Sequence, residues 1–142
     1  MTNLKKGLVR NLLFFSNFLT EKIEEVLKDF NITHSEYLIL RYILDFQGST
    51  QYEIAKKLHI STQRCNQIAK LLFEKNLILK KETLKGKLIK KELTITEDGI
   101  NLLNKIAKEL FISFQKENIP NDDLIILNLT LQKLNSFIQT KR

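Results

Sequence analysis

A mainly α-helical chain with one small β-hairpin is the fold the sequence predicts, on three observations. Apolar residues recur at helical spacing over long stretches, while the 142 residues include only 4 Gly and 1 Pro. Ser and Thr residues stand where helices would open, and two of them are followed three places on by Glu. A single segment, 77–95, departs from the helical period, with apolar and Lys residues set around a Lys85-Gly86 pair.

Taken in order, Leu4, Leu8, Leu12, Phe15, Leu19, Ile23 and Val26 form one stripe of a long first helix ending near Phe30, widened by Phe14 and Phe18. Thr33 and Glu36 make a capping-box pair that opens a second helix through Phe46, which Gln47-Gly48-Ser49 closes. Thr50 and Glu53 repeat the pair at the start of a third helix ending near Leu58. Ser61 is a good N-cap for a fourth helix continuing to about Lys75. Leu77 to Glu82 and Leu88 to Ile95 are the two strands, with Gly86 permitting a backbone conformation that other residues resist. Thr96 caps a fifth helix running through Ile106, Leu110 and Phe114, with Glu97 and Asp98 in the first turn, where the helix dipole favours negative charge. Pro120 breaks the chain before a last helix bearing Leu124, Leu127, Leu131, Leu134 and Phe137 or Ile138.

Gln51 to Lys70 carries the spacing of a helix-turn-helix. Ile54, Leu58, Ile60 and Ile68 supply a core stripe to each of two short helices, small Ala55 sits where they would touch, and His59 stands at the turn. On a helical wheel Cys65, Ile68, Ala69 and Leu72 share the packing face of the fourth helix. Gln63, Asn66, Gln67 and Lys70 fall opposite, with Arg64 at their margin and Ser61 and Thr62 at the helix start. Gln and Asn pair bidentately with adenine edges, Arg with guanine, and Lys neutralises phosphate. Such residues are also ordinary on solvated helices; their place in a helix-turn-helix favours base contact. Lys80, Lys81, Lys85, Lys87, Lys90 and Lys91 cluster in the following hairpin, opposed mainly by Glu82 and Glu92. Lys often guards exposed strand edges. Directly after a recognition helix, however, the hairpin reads as a wing, with Lys81, Lys85, Lys87 and Lys90 set to touch DNA phosphates or a minor groove.

The whole chain bounds these readings. Its length and 43% hydrophobic content suit a single domain, 1–142, with a packed core. A net charge of +7 suggests an anionic partner, and the wing and recognition face favour double-stranded DNA over a membrane. Lys5, Lys6 and Arg10 before Leu12 to Phe15 loosely resemble a secretory signal. Ser16 and Asn17 interrupt the apolar run and Glu21, Glu24 and Glu25 follow, so a cytoplasmic location is expected. The one cysteine, Cys65, cannot form an internal disulfide, and its core-face position suits packing better than redox sensing. His59 suits a left-handed turn better than a metal, and His34 lacks a nearby His or Cys partner. No phosphate-cradling glycine loop, metalloprotease helix or nucleophile elbow occurs, so neither an enzyme nor a cofactor is expected.

The order of elements resembles the MarR family of winged helix-turn-helix regulators. The carriers are Ile32-Thr33-x-x-Glu36, the Gln51 to Leu58 segment with Ile60-Ser61, and Ile95-Thr96-Glu97-Asp98-Gly99 after the wing. The resemblance implies a DNA-binding core over about 33–98, and dimerisation helices over about 4–30 and 99–140. It implies a homodimer on a pseudo-palindromic operator, often a repressor released by a small-molecule effector. Two positions depart from the family pattern. Its wing commonly carries Asp-x-Arg, and counting back from Thr96 those places hold Lys87 and Ile89; the recognition helix has Arg64 in place of the usual Thr. Phe14, Phe15, Phe18 and the late leucines independently supply more apolar face than a small winged core can cover, which again predicts a dimer. Phe15, Phe18, Tyr37 and Tyr42 sit where an effector pocket would form, though plain core is the better expectation for them. The alternatives to a specific regulator are a winged-helix protein-interaction module and a weakly specific architectural DNA binder.

Overall fold

The computed structural model describes residues 2–140, and among them the side chains of 5–84 and 86–138. The side chains of Leu4 and Lys85, expected in the first stripe and the wing, lie outside the described residues. The elements run α1 (Thr2–Leu27), α2 (His34–Asp45), β1 (Ser49–Thr50), α3 (Gln51–Leu58), α4 (Thr62–Glu74), β2 (Ile78–Lys85), β3 (Leu88–Ile95), α5 (Glu97–Lys116) and α6 (Asn121–Thr140).

Thr33 caps α2 with a complete box. Its Oγ1 accepts from the Glu36 N–H at 3.1 Å while Glu36 Oε1 accepts from the Thr33 N–H at 3.4 Å. Glu36 is buried, and Lys75 Nζ donates to its second oxygen at 2.8 Å and to the Asn31 carbonyl at 2.8 Å. That lysine joins the loop before α2 to the end of α4, and no buried carboxylate oxygen is left without a partner among the described residues.

Thr50 forms only half of the second box expected of it. Its Oγ1 accepts from the Glu53 N–H at 3.2 Å, but the Glu53 carboxylate takes the Thr50 hydroxyl rather than its N–H. The reason is that Thr50 belongs to a strand. β1 pairs antiparallel with β3, Ser49 opposite Leu93 and Thr50 opposite Glu92, so the segment expected merely to end α2 supplies the third strand of a sheet ordered β1-β3-β2. The Gln47 side chain accepts from the Ile95 N–H at 3.0 Å and holds the same strand lower down.

Four helix ends turn through left-handed residues that are not glycine: Asn31, His59, Asn76 and Asn118, with φ of 53°, 56°, 61° and 56°. Asn and His tolerate this region better than most residues. After α4 the Leu77 N–H bonds the Leu72 carbonyl and Asn76 bonds Phe73. Ile119 and Asn118 do the same to Phe114 and Gln115 after α5. These are Schellman closures with Asn in the glycine place.

The core gathers Ile39, Leu40 and Ile43 from α2, Ile54 from α3, Ile68 and Leu72 from α4, Ile78 and Leu93 from the sheet, and Ile106 from α5. Only the end of α1 enters it, through Ile23 and Leu27. Leu8, Val9, Leu12, Leu13 and Phe14 stay exposed on α1, as do Ile125, Ile126, Leu129 and Leu134 on α6. At the start of α5, a Cβ on Gly99 would lie 2.5 Å from the Leu77 carbonyl oxygen and 2.6 Å from Ile95 Cγ1. Only glycine lets this helix sit directly against the base of the hairpin.

Candidate nucleic-acid interface

The helix-turn-helix is built by short-range rules. Thr50 starts α3, Lys56 and Lys57 occupy its last turn, and His59 ends it in the left-handed region at φ 56°, ψ 43°. The Ile60 N–H returns to the Ala55 carbonyl at 3.0 Å, which closes the turn. Ser61 then caps α4 through its Oγ, which accepts from the Arg64 N–H at 3.0 Å.

Cys65, Ile68, Ala69 and Leu72 are all buried, and they fix the rotation of α4 about its axis. The opposite face is open: Ser61, Thr62, Gln63, Arg64, Asn66, Gln67 and Lys70 are all exposed. Gln63, Asn66, Gln67 and Lys70 therefore make one outward stripe at i, i+3, i+4 and i+7. Burial raises the Cys65 thiol above its ordinary value of 9.0, which disfavours the thiolate that redox sensing requires.

Register divides the lysines of the wing between two faces of the hairpin. Register places Lys80 opposite Leu93, Glu82 opposite Lys91 and Leu84 opposite Ile89, so these residues share the face that begins at the core. Lys81 opposite Glu92 and Thr83 opposite Lys90 lie on the other face. Lys80 is further engaged, its Nζ 5.4 Å from the Phe73 ring centre. Lys81 and Lys87 are exposed, Lys90 is half-buried, and the Lys85 side chain lies outside the described residues. Gly86, at φ 67°, leads the two-residue turn that bears Lys87.

Between the helix-turn-helix and the wing runs an open groove of about 920 Å³. One wall is Thr50, Gln51, Tyr52 and Glu53 with Thr62 and Asn66; the other is Glu82, Leu88, Ile89, Lys90 and Lys91. The sequence reading missed Gln51, the exposed Tyr52 and the apolar wing tip. An aromatic side chain left open in the first turn of a helix was the available signal.

Phe15, Phe18, Tyr37 and Tyr42 are each half-buried. Tyr37 and Tyr42 lie against the core, and burial raises both phenols above 10.0. Phe18 stacks on Phe114 with centroids 6.2 Å apart. Among the described residues no group of three or more His, Cys, Asp or Glu is placed to hold a metal ion. No described helix is long and apolar enough to cross a membrane.

Residues 30–84 match the sequence profile of the MarR family. An uncharacterised HTH-type transcriptional regulator of Staphylococcus aureus is 33% identical over an alignment 121 positions long that covers 78% of this chain and 82% of the relative. A S. aureus MarR in complex with salicylate and kanamycin superposes with a TM-score of 0.74 at 22% identity, over 98% of this chain and 95% of the other. A MarR family protein from Bacillus stearothermophilus superposes at 0.76 with 13% identity, over 98% of each chain.

Proposed function

The chain belongs to the MarR family, and from that premise we propose that it is a homodimeric, sequence-specific regulator that occupies a pseudo-palindromic operator and represses transcription. The observation that carries this reading is the split of α4 into a buried face and an outward stripe of Gln63, Asn66, Gln67 and Lys70 with Arg64 beside it. A helix so presented enters a major groove and pairs with base edges, while the lysines of the wing neutralise phosphate alongside.

Dimerisation follows from the apolar surface left on α1 and α6, which a second copy of the same two helices would bury as an isologous interface. Two recognition helices then meet successive major grooves about 34 Å apart. That the S. aureus MarR was captured with salicylate and kanamycin supports release by a small-molecule effector as part of the reading.

The test is a mobility shift on the DNA upstream of the protein's own gene, at physiological salt, against unrelated competitor. A shift that survives competition supports the regulator. A shift abolished by competitor favours a weakly specific architectural binder. Absence of any shift at low salt favours a protein-interaction module.

A further inference from the structure

The tip of the wing carries three large aliphatic residues among its lysines. Leu84 and Ile89 oppose each other across the hairpin at 77% and 63% exposure, and Leu88 beside the turn is 71% exposed. Leaving three large aliphatic side chains in water at the free end of an edge hairpin is unfavourable, and protein edges are normally blunted by charge there. Charges lie between and behind them: Lys85 opposite Leu88 at the end of β2, Lys87 in the turn, and Lys90 and Lys91 further down β3.

Ile89 and Leu88 line the same groove as Thr62 and Asn66 of the recognition helix. A duplex seated on α4 would run one backbone along that groove and bring the adjoining minor groove to the wing tip. The walls of a minor groove are the carbon faces of deoxyribose, flanked on both sides by phosphate. An aliphatic tip with lysines behind it complements that surface in both respects. The groove is only about 6 Å wide, and two strands about 4.8 Å apart with side chains do not enter it unless it opens. Aliphatic wedges open it by partly unstacking a base step.

We infer that Leu84, Ile89 and Leu88 form an apolar wedge that the wing presses into the DNA minor groove flanking the recognition helix, distorting the base step there. This rests on the DNA-binding reading above. The aliphatic tip then adds to the lysines' phosphate contacts a contribution from apolar contact and DNA deformability that is largely independent of salt, and it prefers flexible pyrimidine–purine steps at the flanks of the operator.

The experiment uses the full chain and an operator duplex from its own promoter, with 2-aminopurine placed at the flanking step or, as a control, at the centre of the half-site. Wild-type protein is expected to raise fluorescence at the flank. Leu84→Ser with Ile89→Ser should abolish that rise and weaken binding by about tenfold, with the slope of log K against log salt unchanged. Leu84→Met with Ile89→Val should restore both. Both side chains are largely exposed, so circular dichroism should stay at wild type in each variant. The inference is overturned if wild-type protein shifts the duplex without a flank signal, or if the serine variant binds and reports like wild type. If wild-type protein fails to shift the duplex at all, the DNA-binding reading falls first and takes the wedge with it.

Discussion

A methyl group at Gly99 would arrive 2.5 Å from the Leu77 carbonyl, inside a contact that backbone cannot yield cheaply. Gly99→Ala is therefore expected to destabilise the fold by about 1–3 kcal/mol, as overpacking does, and to lower the urea midpoint. On the outward stripe the expectation is reversed. Gln67→Ala should leave that midpoint unchanged and weaken operator binding by about 1–3 kcal/mol, with relaxed preference at one base position in a binding-site selection. Cys65 acts through its proton. Burial lifts its folded-state pKa above 9.0, so the folded protein holds that proton more tightly than the unfolded chain does. The stability this supplies is complete below about pH 9 and is lost as pH rises through the raised value. Urea midpoints on either side of pH 9 should fall more shallowly in Cys65→Ala. At this scale the sequence was informative where a wheel divides faces: Cys65, Ile68, Ala69 and Leu72 are buried as their spacing requires, and His59 takes the left-handed turn expected of it. Gly99 appeared only as one letter of a family motif, because a close approach is a property of two segments and leaves no mark on either alone.

The elements differ in how much of them the core holds. α2 and α4 are committed to it, whereas α6 leaves Ile126, Leu129 and Leu134 exposed. Wild-type chain is therefore expected to sediment as the proposed dimer, and Ile126→Asp with Leu129→Asp as a monomer of unchanged helicity, in sedimentation velocity. Retention of the dimer would place the interface elsewhere. Helices were legible because each is announced by a cap and sustained by a period: Thr33, Ser61 and Thr96 stand where expected. β1 was not, since two residues carry no period, and Ser49-Thr50 look like a loop until β3 is beside them. Strand register was equally hidden. The lysines of 80–91 form a run in sequence, but alternation divides them between two faces, and only pairing Lys80 with Leu93 shows which lysine lies where.

For the molecule as a whole, the net charge of +7 per chain becomes about +14 in a dimer, a field that draws DNA in before any base is read. Binding should weaken steeply with salt. If Lys81 contacts one phosphate in each protomer of the proposed dimer, Lys81→Ala should reduce the slope of log K against log salt by about 2 and weaken binding alike on all sequences. An unchanged slope would remove that face of the wing from the interface. Fold and general task were legible from the chain, but the groove between helix and wing was not, because it exists only once α3, α4 and both strands of the hairpin are packed together.

The wing is rooted at the same place where α5 begins. The Thr96 N–H donates to the Leu77 carbonyl, the Thr96 hydroxyl to the Asn76 carbonyl and the Asn76 amide to Asp98, with Gly99 flush against Leu77 and Ile95. Root and helix are thus tied at one junction. A hairpin eight residues long reaches about 26 Å at ~3.3 Å per residue, so a change of about 5° at that junction would carry the tip through about 2 Å. In the proposed dimer, the angle at each of these two junctions would therefore set the span between the wing tips, and with it the length of DNA the pair could grip.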